Sequence, residues 1–220
     1  SAFIHHGTPL PIQFFAFEQL CSEYWDDEAI KFLYPRLKRF YDYMVGKNPT
    51  STTLMDSGFI RTWDYWYSTG GWDDYPPQWT IRPQKELRLR TSPMVSTSYY
   101  IRCAKILRLM ASHLKLKKDI KEYDADIATM SKGILDNAWD EECGYFGYVI
   151  HDKEYNPIGL YRTEEGVNFN MGIDGVTPLV AGITTKEQQE RLIGHIFTKG
   201  ECIYLDLKCS PCKKSGKLRT

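Results

Sequence analysis

The sequence predicts an all-α fold of helical hairpins, joined by short turns and long aromatic loops, with one small β-hairpin. Apolar residues recur at helical spacing over most of the chain. Strand-like alternation is concentrated in one stretch, residues 139–161. Residues 47–92 show no convincing helical pattern yet are too aromatic for a disordered segment. Paired helices of this kind build (α/α) toroids, TPR-like arrays or simple bundles. No fixed repeat period is visible, which weakens the array reading.

The elements follow in order. From Gln13 to Tyr24, residues Phe14, Phe17, Leu20 and Cys21 share one helical face. Asp26 and Asp27 open a second helix, and Gly46 stops it. Pro35 is expected to kink that helix or begin its second half. A long helix begins at Ser92 or Pro93 and runs to about Leu116, with Tyr99 or Tyr100, Cys103, Ile106, Leu107 and Met110 inward. Another covers about Lys118 to Ala138 through Tyr123, Ile127, Met130, Ile134 and Leu135. Residues 139–161 then read as a short hairpin turning at Asn156-Pro157. A loop over 162–175 precedes TPLVAGI and a last helix, for which Thr185 is the expected N-cap.

Composition narrows the function. The chain has 220 residues, enough for one domain with a real core. Lys+Arg and Asp+Glu both number 28, so a nucleic-acid or anionic-membrane partner is not expected. No apolar run approaches ~18 residues. The opening SAFIHHGTPL lacks a signal-peptide pattern, which favours the cytoplasm and otherwise leaves the compartment open. Cys21, Cys103 and Cys143 stand singly, as reduced small hydrophobes do, and neither cysteines nor histidines offer a zinc spacing. No metal or cofactor is expected.

The 15 tyrosines and 6 tryptophans are the compositional outlier. Rings with polar tips suit a wet concave binding surface, and equally a tyrosine-rich core and rim. They concentrate around YSTGGWDDYPPQWTIRP, residues 67–83. Packing among Trp72, Tyr75 and Trp79 would desolvate a carboxyl and raise its pKa, and Asp74 beside Asp73 adds like-charge pressure in the same direction. Asp-Asp-Tyr-Pro-Pro is also a good turn, with acids bonding backbone amides.

At this point the chain resembles a known family. Gly71-Trp72-Asp73-Asp74-Tyr75-Pro76 resembles the G-x-D-[DN]-x-P signature of glycoside hydrolase family 63 and its relatives. FLYPRLKRFYDYMVG (32–46), NAWDEECGYFGYVIHDK (137–153) and GIDGVTPLVAGI (172–183) are similar to further segments of that family, in the same order. The resemblance implies a partial (α/α)6 toroid over residues 1–200 and hydrolysis of an α-glycosidic bond, glucoside or mannoside, with inversion. It implies Asp73 as the general acid, with the opposite assignment of Asp73 and Asp74 still open. It implies an oligosaccharide or small glycoside as partner. Trp63, Trp66, Trp72, Tyr75 and Trp79 are the candidates for stacking on sugar, and Asp64, Asp74 and Gln78 for contacts to its hydroxyls. His6, with His5, lies where the family places a rim segment. Core packing or loop bracing is the alternative at each of these positions.

Two departures bear on activity. Many family members carry Glu four residues before the acid; here that residue is Thr69. The family's general base lies in a C-terminal segment that this sequence does not match. Residues 201–220 form a cysteine-containing tail, basic after Asp206, and its Cys209-x-x-Cys212 lacks partner ligands. Asp64 and Asp174 are the loop carboxylates considered as substitutes. The chain is therefore expected to be truncated, inactive or nearly so, and prone to self-association through open barrel edges. A non-catalytic carbohydrate-binding or scaffold remnant is the second expectation. A sugar epimerase, which would want paired histidines, is the third.

Overall fold

The computed structural model describes residues 10–47, 53–61, 80–81, 83–168 and 173–197. The tail at 201–220 lies outside the described residues. Helices dominate, as the sequence predicts, and the strands are short.

Helix α1 (Ile12–Glu23) turns phenylalanines 14 and 17 into the core. Helix α2 (Asp27–Met44) is capped by Asp26, whose carboxylate accepts from the backbone N–H of Glu28 and Ala29. Two of the free amides of its first turn are thereby satisfied. Pro35 stands inside one continuous helix. The apolar face on either side of it, Ile30, Tyr34, Leu37, Tyr41 and Met44, is buried, and that packing outweighs one missing backbone bond.

A two-strand hairpin follows, β1 (Thr53–Leu54) with β2 (Ile60–Arg61). Residues 47–92 are not free of helix: α3 (Lys85–Arg90) forms there, leading into strand β3 (Thr91–Ser92). Helix α4 (Met94–His113) is the central element. It packs against α5 (Lys117–Asn137), α2 and α1, and its first half is buried almost all round. Helices α4 and α5 form one hairpin, closed at Lys115 with φ 60°. Hydroxyls tie α2 to α5: Tyr34 donates to Asp119 at 2.5 Å and Tyr41 to Asp126 at 2.8 Å.

The segment 139–161 is not one hairpin but two. Strands β4 (Trp139–Asp140) and β5 (Tyr145–Phe146) pair first. Strands β6 (Val149–His151) and β7 (Pro157–Leu160) pair next, with β3 added on the outer edge of β6. Burial separates them. Tyr145, Phe146, Tyr148 and Val149 are all interior, so simple in-and-out alternation does not hold. The second turn is organised by Asp152, whose carboxylate accepts from the N–H of Glu154 and Asn156. Pro157 begins β7, where its missing N–H is tolerated.

The chain closes with a 3-10 turn (Ile173–Val176), helix α6 (Thr177–Val180) and helix α7 (Lys186–Phe197). Thr185 caps α7 as expected. Its hydroxyl accepts from Gln188 N–H, and the Gln188 side chain accepts from Thr185 N–H. Helix α6 packs on α4, so the C-terminal elements sit against the same central helix. The outer face of α1 and the start of α2 leave Ile12, Tyr24 and Phe32 more than half exposed.

Candidate functional site

The signature acids and most of the predicted sugar contacts fall between Arg61 and Thr80. Trp63, Asp64, Trp66, Trp72, Asp73, Asp74, Tyr75, Gln78 and Trp79 lie outside the described residues, as do His5 and His6. The described residues define what stands at both ends of that segment.

The entry is held by β2. Ile60 is fully buried, and its N–H donates to the hydroxyl of Thr97 on α4 at 3.1 Å. The exit is held at Thr80 and Ile81. Ile81 is fully buried. The Thr80 carbonyl accepts from the Gln84 side chain at 2.8 Å, and its hydroxyl accepts from Tyr161 Oη–H at 2.8 Å. Tyr161 follows β7, and its N–H donates to the carbonyl of Tyr148 at 2.7 Å. The entry is therefore tied to helix α4, and the exit to Gln84, just before α3, and to Tyr161, just after β7.

The described residues also enclose a buried polar cluster. Tyr148 Oη–H donates to Asp174 Oδ2 at 2.5 Å, and Asp174 is fully buried. Oδ1 of Asp174 has no hydrogen-bond partner. Burial raises the Asp174 pKa to about 6, against the lowering effect of the Tyr148 bond. Its charge adds to the upward shifts of Tyr99 and Tyr145, both of which come first from burial. The backbone of Asp174 is fixed as well, since its carbonyl accepts from Thr177 Oγ1 at 2.6 Å. A second enclosed acid, Asp140, pairs with Arg162 at 2.9 Å and receives the N–H of Glu142.

The chemistry this allows is specific. Asp174 can hold a proton close to neutral pH and can anchor a tyrosine. A general base must reach a water, and a fully enclosed carboxylate does not. Of the two loop carboxylates considered as a base, Asp174 is thus the weaker fit. Among the described residues, no group of three or more His, Cys, Asp or Glu could hold a metal ion. Among them too, no helix is long and apolar enough to cross a membrane.

The Asp174–Tyr148 pair is the part of this arrangement that sequence reasoning missed. GIDGVTPLVAGI resembles an inner segment, but nothing in one-dimensional spacing links residue 174 to residue 148.

Residues 12–200 match the model of the bacterial alpha-L-rhamnosidase six-hairpin glycosidase domain. The chain belongs to that family. The match spans the signature segment, both its anchors and the Asp174 cluster. No curated protein matches the chain. The mostly helical architecture is consistent with a six-hairpin glycosidase domain. The class is one of glycoside hydrolases acting on carbohydrate. The match supports the six-hairpin class and not glycoside hydrolase family 63 in particular.

Proposed function

We propose that this six-hairpin domain hydrolyses an α-glycosidic bond with inversion, using Asp73 as general acid. The observation that carries the reading is the position of Gly71-Trp72-Asp73-Asp74-Tyr75-Pro76. The motif lies inside the matched span, in a segment whose two ends bond to Thr97 on α4 and to Tyr161 after β7. A glycosidase must keep one carboxyl protonated to deliver a proton to the leaving oxygen, and the rings around Asp73 in sequence supply the apolar surroundings. Trp63, Trp66, Trp72, Tyr75 and Trp79 would stack on the apolar faces of the sugar. Asp64, Asp74, Gln78 and His6 would hold its hydroxyls.

An inverting reaction needs a second carboxylate roughly 6.5–9.5 Å away with a water between. With Asp174 enclosed, Asp64 is the first residue to test in that role. The substrate panel follows from two sources. The matching family's name adds α-L-rhamnosides to the α-glucosides and α-mannosides that the signature suggests. L-rhamnose is a deoxymannose of the opposite series, so its hydroxyls are in mirror-image array and the panel distinguishes the two. If Asp64 fills the base role, turnover of aryl glycosides from this panel is expected and Asp73→Asn should lower it at least ~100-fold; without a base the chain is expected to be inactive or nearly so. Turnover that survives the substitution would remove Asp73 from the role.

A carbohydrate-binding domain without turnover is the second reading, and the enclosure of Asp174 is the observation favouring it. Saturable sugar binding by calorimetry, with no hydrolysis of any panel member, would select it.

A further inference from the structure

We propose that Ser57 and His151 form a second catalytic pair, a serine nucleophile with its general base, acting on small activated acyl esters. Both residues are described ones, and the inference does not depend on the reading of Asp73.

Two distant elements bring the pair together. Ser57 stands in the turn between β1 and β2, and His151 ends β6, 94 residues later. The Ser57 hydroxyl lies 3.1 Å from His151 Nε2. On the other side of the ring, Nδ1 lies 3.3 Å from the Arg90 carbonyl, which can only accept. Nδ1 therefore carries the proton, Nε2 presents its lone pair, and the Ser57 hydroxyl donates to it. A base in front of a nucleophile needs this tautomer; the wrong one costs a serine hydrolase about 10⁴-fold.

Exposure runs in the direction that catalysis requires. The ring is fully enclosed, with Phe59 edge-on at 5.6 Å, while Ser57 is partly open to solvent. An acyl carbon can approach the hydroxyl while the base stays dry. Burial lowers the imidazole pKa below 6.5, against the Arg90 carbonyl and the charge of Asp152, so the ring is neutral at pH 7.

The turn is held without help from this pair. Ile60 N–H donates to Thr97, and Gly58 packs directly on the α5 backbone at Thr129 and Gly133. Enclosing an imidazole costs desolvation that an apolar ring would not. A hairpin already pinned on two sides does not require it.

The same geometry sets the substrate class. A carbonyl behind the ring orients it but does not neutralise the imidazolium that forms. The Gly58 N–H, next to the nucleophile, is spent on the Met55 carbonyl at 2.8 Å. Lack of one oxyanion donor costs about 10²–10³-fold. Both features disfavour amides and select esters with good leaving groups. In the reaction, Ser57 Oγ bonds to the acyl carbon while Nε2 takes the hydroxyl proton and passes it to the departing alcohol. Water, deprotonated by Nε2, then releases the acid and restores the serine.

A fluorophosphonate tests the nucleophile directly. A P–O bond to Ser57 should form as fluoride leaves, and peptide mass spectrometry should place one adduct on that residue. Ser57→Ala should carry none. His151→Gln, shown to be folded by circular dichroism, should label at Ser57 at least ~10-fold more slowly. p-Nitrophenyl acetate should give a burst of p-nitrophenolate with the acetyl group on the same serine. The unsubstituted chain supplies a second arm that needs no variant. Its labelling rate should follow the titration of the His151 ring read by NMR, and the urea-unfolded chain should not label at Ser57. Absence of an adduct at Ser57 would overturn the proposal. Equal labelling in folded His151→Gln or in the unfolded chain, or a rate independent of the His151 titration, would overturn it as well and leave the contact a structural one.

Discussion

The phenol of Tyr148 donates to Asp174 Oδ2 at 2.5 Å, and neither residue is more than 1% exposed. A carboxylate enclosed this way is satisfied at one oxygen and bare at the other. Its charged form is disfavoured, and the folded protein holds a proton there at pH values where the unfolded chain has lost it.

The sign of the pH effect follows. The folded pKa is about 6 against an unfolded value of 3.8. Between these values the folded state binds the extra proton, so this group makes stability fall as pH rises. The loss is complete above the folded pKa. Asp174→Asn should remove that slope and stabilise the protein above about pH 6 by up to roughly 3 kcal/mol, the equivalent of the shift. Urea unfolding of both proteins across about pH 4 to pH 7.5 checks it. Parallel curves would show that Asp174 titrates normally.

His151 predicts the opposite slope. The ring is buried, Nδ1 lies 3.3 Å from the Arg90 carbonyl and Nε2 lies 3.1 Å from the Ser57 hydroxyl. A carbonyl only accepts, so Nδ1 carries the proton and Nε2 accepts from Ser57. Burial lowers the pKa below 6.5, despite the bond to the Arg90 carbonyl. The unfolded chain therefore protonates first, and this contribution is present above about pH 6.5 and lost as pH falls through the folded value. His151→Gln should flatten the acid side of the stability profile. An NMR titration of the imidazole with a midpoint above about 6.5 would contradict it.

Gly58 and Gly133 set the approach of the β1–β2 hairpin to α5. A Cβ on Gly133 would stand 2.4 Å from the Ser57 carbonyl oxygen, and one on Gly58 would stand 2.4 Å from the Thr129 carbonyl oxygen. Both obstacles are backbone, so neither side can turn away. Gly133→Ala raises helix propensity yet should destabilise by roughly 2–3 kcal/mol, as overpacking does. A melting temperature equal to that of the unsubstituted chain would show that the hairpin yields freely.

Arg162→Ala leaves the Asp140 carboxylate, 2% exposed, without its 2.9 Å partner. A loss of about 2 kcal/mol is expected, below that of fully buried pairs because the arginine is about one-third exposed. Adding Asp140→Asn should recover part of it. Equal stability of the single and double variants in urea would show that the uncompensated charge was not the cause.

The sequence by itself determined the helices, because their signals are local. Capping residues at Asp26 and Thr185 and apolar spacing through α4 and α5 depend on neighbours a few positions apart. It also singled out the acid motif, which lies inside the span matched by the glycosidase family. It failed where packing overrode a local rule: α3 within a stretch read as loop, and one expected hairpin that is two. Only the tertiary structure decided that Asp174 meets Tyr148, that Tyr161 meets Thr80 and that two glycines face each other across 75 residues of sequence. Those contacts follow from how α4 gathers distant elements around itself. Burial, which sets both the pKa of Asp174 and the cost of a methyl at Gly133, is a property of that gathering and of no single segment.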